Sequence, residues 1–114
     1  MNIPDHIAPS ILQGRLALVT GGGQGNGQAI ALGLAHAGAR VIVTDLNEGN
    51  AQQVAQDIRQ QGGQAWAFCL DVTDEVANQA LAAQVMREVG PIDILINNAG
   101  IIIREGVNSP HAVS

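Results

Sequence analysis

An unbroken apolar run, Leu16-Ala17-Leu18-Val19-Thr20, passes straight into Gly21-Gly22-Gly23-Gln24-Gly25-Asn26-Gly27 and then into helix-forming sequence. A strand without polar alternation is buried on both faces, the habit of a parallel sheet. Parallel strands need long crossovers, so the chain should alternate strands with helices. The remaining sequence keeps that rhythm. Ala29 to Ala37 reads as a helix, with Ile30 and Leu34 one turn apart and Gly38 closing it. Arg40 to Asp45 is a second strand that ends in an acid. Asn47 caps a second helix, whose Ala51, Val54, Ala55 and Ile58 fall on one face, and Gly62-Gly63 ends it. Ala65 to Leu70 is a third strand. Thr73 is expected to cap a third helix in which Ala77, Leu81, Val85 and Val89 recur every fourth residue until Gly90-Pro91. Ile92 to Ile96 is a fourth strand, leading into Asn97-Asn98-Ala99-Gly100.

The expected fold is therefore α/β, a Rossmann-type doubly wound parallel sheet truncated after its fourth strand. Strand two should lie beside strand one, strand three outside two, and strand four on the other flank. That order puts the reversal of winding between strands one and four, where ligands bind at the carboxyl ends. Residues 1–14, with Pro4 and Pro9, read as an N-terminal leader, and residues 15–114 as one incomplete nucleotide-binding half-domain. The fourth strand would carry an open edge and an open apolar face, so marginal stability is expected of this stretch alone.

Composition removes several classes of function. With a net charge of -5 and five scattered basic residues, all Arg, the chain lacks the clustered cations that polynucleotide binding needs. No apolar stretch reaches membrane-spanning length, and no signal peptide is recognisable. One cysteine, Cys69, excludes an intramolecular disulfide and suits a reducing cytoplasm; its apolar surroundings predict a small buried hydrophobe. His6, His36 and His111 show no metal-ligand spacing with it. Glu105, Ser109 and His111 lie too close along an irregular stretch to form a triad.

The chemical signals sit at the strand ends. Closely spaced glycines between a strand and a helix let backbone approach a diphosphate, and the helix start offers it unpaired N–H groups and partial positive charge. Gly21, Gln24, Gly25, Asn26 and Gly27 are the candidates here, and no Gly-Lys-Ser/Thr follows to make a Walker loop. Asp45, 18 residues past Gly27, ends strand two where an acid can accept bonds from both hydroxyls of an adenosine ribose. Its charge would repel a 2′-phosphate, and Leu46, Asn47 and Glu48 bring no cation, so NAD is favoured over NADP. Asp71 after strand three can accept from an adenine amino group while Val72 lines the ring pocket; equally, Asp71 can be a plain turn acid. Two amides at the end of a buried strand must be paired. Asn97 and Asn98 can bond neighbouring strands, or Asn98 can hold the cofactor. Ala99 and Gly100 are small enough for a ribose and nicotinamide to lie against them.

Together these features resemble the classical short-chain dehydrogenase/reductase family from about Leu16 to Ile103. The family's Thr-Gly-x-x-x-Gly-x-Gly matches Thr20 to Gly27, its acidic-apolar pair matches Asp71-Val72, and its Asn-Asn-Ala-Gly matches Asn97 to Gly100. Asn26 departs from the family's usual aliphatic residue. The resemblance implies hydride transfer between NAD and a small alcohol or carbonyl. It also implies a homo-oligomer in the full-length form. It further implies a catalytic Tyr, Lys and Ser downstream of the matched stretch. This chain has no Tyr and no Lys, so no catalytic residue is assigned to it. Two alternatives stand beside this reading: a non-catalytic NAD-binding module, and a methyltransferase-like domain using S-adenosylmethionine.

Overall fold

A computed structural model describes residues 11–99 of the chain. Strands β1 (Leu16–Thr20), β2 (Arg40–Asp45), β3 (Ala65–Cys69) and β4 (Ile94–Asn97) alternate with helices α1 (Gly25–His36), α2 (Glu48–Gln60) and α3 (Glu75–Glu88). All strand pairs are parallel, in the order β3-β2-β1-β4. This is the winding expected from the sequence. Val19 sits between Val43 of β2 and Ile96 of β4, so the two flanks diverge on either side of β1. In sheets wound this way the switch point between β1 and β4 forms a crevice at the carboxyl ends, here above Thr20.

Side-chain alternation divides the core into two layers. Ala17, Val19, Val41, Val43 and Ala65 pack against Ala31 of α1 and Ala51, Val54, Ala55 and Ile58 of α2. Leu16, Leu18 and Ile42 face the other way, onto Leu81 and Val85 of α3. Every residue of β1 is buried, as its unbroken apolar sequence requires. Apolar burial of this kind contributes about 25 cal/mol per Å² and is the main force joining the layers. The two buried hydroxyls are paired: Thr44 donates to the Val19 carbonyl at 3.0 Å, and Thr20 donates to Asn97 Oδ1 at 3.1 Å.

Four local expectations need correction. Helix α1 begins at Gly25, not Ala29, and therefore takes in the last two glycines of the loop. Helix α3 is capped by Asp74, whose carboxylate accepts from Ala77 N–H at 3.0 Å, and not by Thr73. Thr73 instead donates its hydroxyl and its N–H to Asp71 Oδ1, at 2.6 and 2.9 Å. Cys69 is exposed rather than buried. It ends the edge strand β3 opposite Asp45, and its thiol donates to the Leu46 carbonyl at 3.4 Å. The fourth strand begins at Ile94, not Ile92, because Asp93 turns both its N–H and its carboxylate onto the backbone of Leu16.

Candidate functional site

The site is built around the start of α1. An α-helix leaves its first N–H groups without intrahelical partners. In α1 the first ladder bond runs from Gln28 N–H to the Gln24 carbonyl at 3.2 Å. Gln24, the residue at the N-cap, makes no side-chain bond to the helix, and the first turn holds no acid. The amides of Gly25, Asn26 and Gly27 thus form an open donor set, reinforced by the positive end of the helix dipole. Gln24, Gly25 and Asn26 are exposed, and Gly25 (φ +58°) faces open space where a Cβ would stand. Gly27 is the opposite case. A Cβ there would run into the Gly21 carbonyl and lie 2.6 Å from Asn98 Nδ2. Only glycine lets α1 start this close to the end of β1.

The top of β4 is tied to that turn. Asn98 Nδ2 donates to the Gly21 carbonyl at 3.3 Å, and Ala99 N–H donates to Thr20 Oγ1 at 3.1 Å. The Thr20 hydroxyl therefore accepts from one strand-end residue and donates to another, joining β1 to the Asn97-Asn98-Ala99 run. Asn97 pairs with Thr20 at the end of β1, and Asn98 with Gly21 just beyond it. Gly100 lies outside the described residues.

On the other flank, Asp45 leans over the glycine loop. Its Oδ2 accepts from Gly23 N–H and its Oδ1 from Asn47 N–H, both at 2.9 Å. Each carboxylate oxygen has a further lone pair for a ligand hydroxyl. Asp71 is spent differently: its bonds from Thr73 side chain and backbone hold its carboxyl below the usual range. Val72 packs on the α3 side of the sheet, and Asn78 Nδ2 donates to its carbonyl at 3.0 Å. The structure thus gathers Gly21, Gln24, Gly25, Asn26, Gly27, Asp45, Asn98 and Ala99 around one helix end, with Asp71 and Val72 at the outer strand. Thr20, Gly23 and Asn78 are not among the site residues expected from the sequence, although the first two fall within the glycine motif. Thr20 had a signal, a hydroxyl directly before the glycines at the end of an apolar strand.

The residues present fit an adenine dinucleotide. Open amides suit its diphosphate, the close Gly21–Gly27 approach clears backbone for it, and the Asp45 carboxylate suits a diol. The charge layout agrees. Arg59 and Arg87 lie in the last turns of α2 and α3, and Arg15 and Arg40 at the starts of β1 and β2, all at the amino end of the sheet. A groove of about 370 Å³ at that end, lined by Gln13, His36, Arg40 and Gly62, contains none of the site residues. Among the described residues no group of His, Cys, Asp and Glu could hold a metal, and no helix is long and apolar enough to cross a membrane.

Comparison with known proteins agrees with this geometry. The sequence profile of the family described as short chain dehydrogenase matches residues 15–112. The chain is 46% identical over 89 residues to 7alpha-hydroxysteroid dehydrogenase of Escherichia coli (strain K12), covering 78% of this chain and 35% of that protein. It is 40% identical over 91 residues to 2,3-dihydro-2,3-dihydroxybenzoate dehydrogenase of Bacillus subtilis, covering 80% and 35%. Among solved structures, a hydroxysteroid dehydrogenase from Escherichia coli superposes with a TM-score of 0.75 at 46% identity, covering 78% of this chain and 38% of that one. A citronellol catabolism dehydrogenase of Pseudomonas aeruginosa PAO1 superposes with a TM-score of 0.81 at 31% identity, covering 90% and 44%. The chain spans about a third of the length of the curated relatives it matches. It belongs to the short-chain dehydrogenase family, and what it aligns with is that family's N-terminal portion.

Proposed function

We propose that the chain is the cofactor-binding N-terminal part of an NAD-dependent oxidoreductase that interconverts a small alcohol and its carbonyl. The observation that carries this reading is the Asp45 carboxylate, fixed by two amides beside the open start of α1. Bound NAD supplies the hydride acceptor or donor. The chain's own part is to bind and orient it. The Gly25, Asn26 and Gly27 amides hold the diphosphate, and Asp45 grips the adenosine diol. Asp71 and Val72 border the adenine. Asn98 and Ala99 border the path towards the nicotinamide.

NAD is preferred because a 2′-phosphate would meet the Asp45 charge, and the described arginines stand at the far end of the sheet. The family resemblance assigns proton transfer to a Tyr and Lys, and these 114 residues contain neither, so on this reading they bind without turning over. The complete protein acts on an alcohol or carbonyl substrate as a homo-oligomer in the cytoplasm, without nucleic acid or membrane partners. The methyltransferase alternative finds no support in the family match.

Calorimetric titration with NADH and NADPH tests this. Charge-assisted bonds contribute about 1.5–3 kcal/mol each, so NADH should bind at least about tenfold more tightly than NADPH. In Asp45→Ala that preference should vanish. Equal affinities in the unsubstituted chain, or a preference for NADPH, would overturn the reading.

A further inference from the structure

Asp45 is engaged more closely with the glycine loop than ribose binding requires. The Gly22 N–H donates to the Thr44 carbonyl at 2.9 Å, and the next amide, Gly23 N–H, donates to Asp45 Oδ2 at 2.9 Å. The end of β2 therefore holds two successive loop amides, one through its backbone and one through a side chain. Gly23 is buried, and there is no slack around it. A Cβ added at Gly23 would lie 2.7 Å from Asn50 Cβ, 2.8 Å from Asp45 Oδ2 and 3.1 Å from the Ala51 nitrogen. The loop is clamped between the carboxylate and the first turn of α2, two residues before α1 begins at Gly25.

We propose that Asp45 is a positioning residue for the diphosphate site, latching the Gly23 amide so that the open start of α1 is held in place before any ligand arrives. This rests on the dinucleotide reading above and extends it. The two roles are compatible, because each carboxylate oxygen spends one lone pair on an amide and keeps another for a ribose hydroxyl. Preorganised donors bind better than donors that must first be ordered. Loss of the latch should therefore be felt at the diphosphate, which the carboxylate does not touch.

The test compares ADP with 2′,3′-dideoxy-ADP, which lacks both ribose hydroxyls, by calorimetry on the chain and its Asp45→Asn and Asp45→Ala variants. The latch predicts that dideoxy-ADP weakens by about threefold or more in Asp45→Ala, which is about 0.65 kcal/mol. Asp45→Asn should lose less, since its amide oxygen still accepts the Gly23 N–H. Hydrogen exchange of the Gly23 amide should quicken in step. Gly23→Ala, which keeps the carboxylate but wedges the loop, should weaken both ligands alike. Where Asp45→Ala does not fold, Asp45→Asn carries the comparison. If the Asp45 variants distinguish ADP but bind dideoxy-ADP as the unsubstituted chain does, with Gly23 exchange unchanged, the latch is wrong and the ribose contact stands. If a folded, unsubstituted chain binds neither ADP nor NADH, the dinucleotide reading falls and takes the latch with it.

Discussion

Helices α2 and α3 begin in one way and α1 in another. Asn47 accepts from Asn50 N–H at 3.0 Å and Asp74 from Ala77 N–H at 3.0 Å, and Glu48 and Glu75 add negative charge to the first turns. Each of these helices satisfies one orphan donor with its own cap side chain. Helix α1 has neither a capping side chain nor an acid, and it opens with glycines. A missing cap costs about 1 kcal/mol, and a missing first-turn acid some 0.3–1 kcal/mol more. The chain forgoes that stabilisation only where the strands of the sheet diverge. The helix left unfinished is the one that faces the crevice, and a diphosphate would complete it.

The contrast should respond to substitution with effects of different size. The largest is expected at Gly27. Gly27→Ala drives a methyl into the Gly21 carbonyl and Asn98, and overpacking of this kind costs about 1–3 kcal/mol. Chemical denaturation should show that loss, and NADH affinity should fall more than about tenfold as α1 is pushed off β1. Next is Asn26→Asp, which gives α1 the acid that α2 and α3 already have. It should stabilise the fold by about 0.3–1 kcal/mol yet weaken NADH binding several-fold, because the new charge faces the diphosphate. The opposite signs matter. Asp74→Ala is the control on a finished helix: it should cost about 1 kcal/mol and leave NADH affinity alone. If Asn26→Asp raised both stability and affinity, α1 would be an ordinary helix with a poor cap.

The smallest effect concerns the outer turn. The Thr73 bonds lower the Asp71 pKa in the folded state. A depressed carboxyl pKa contributes stability that is present above the unfolded value and is lost as pH falls through the folded one. Thr73→Val removes the side-chain bond, which is the larger cause, so the variant's stability should depend less on pH on the acid side of neutrality. Parallel melts between pH 5 and about pH 2 would read this; an unchanged slope would mean that the backbone bond alone sets the shift.

Much of this architecture is legible in the residues, and the limits have physical causes. Unbroken burial made Leu16 to Thr20 a central strand, and the spacing of Ala51, Val54, Ala55 and Ile58 marked the buried face of α2. The sheet order was expected from the usual winding of doubly wound sheets, and the structure has it. The start of α1 was hidden because glycine is a poor helix former, so periodicity becomes visible only after Gly27. Thr73 and Asp74 are adjacent residues, both able to cap, and only the geometry of the Asp71 turn decides between them. Cys69 has apolar neighbours along the chain but sits at the exposed end of an edge strand, which local sequence does not encode. The strand-end residues of the site follow from motif spacing. The Gly23 contact with Asp45 does not, because it joins residues 22 apart across all of α1 and β2.

Amide-resolved NMR of the chain titrated with ADP would address the open helix end directly. The amides of Gly25, Asn26 and Gly27 should shift and gain protection from exchange, while Ala77, already capped by Asp74, should stay unchanged. A folded sample in which those three amides ignore saturating ADP, or in which Ala77 responds as they do, would contradict a diphosphate site at the start of α1.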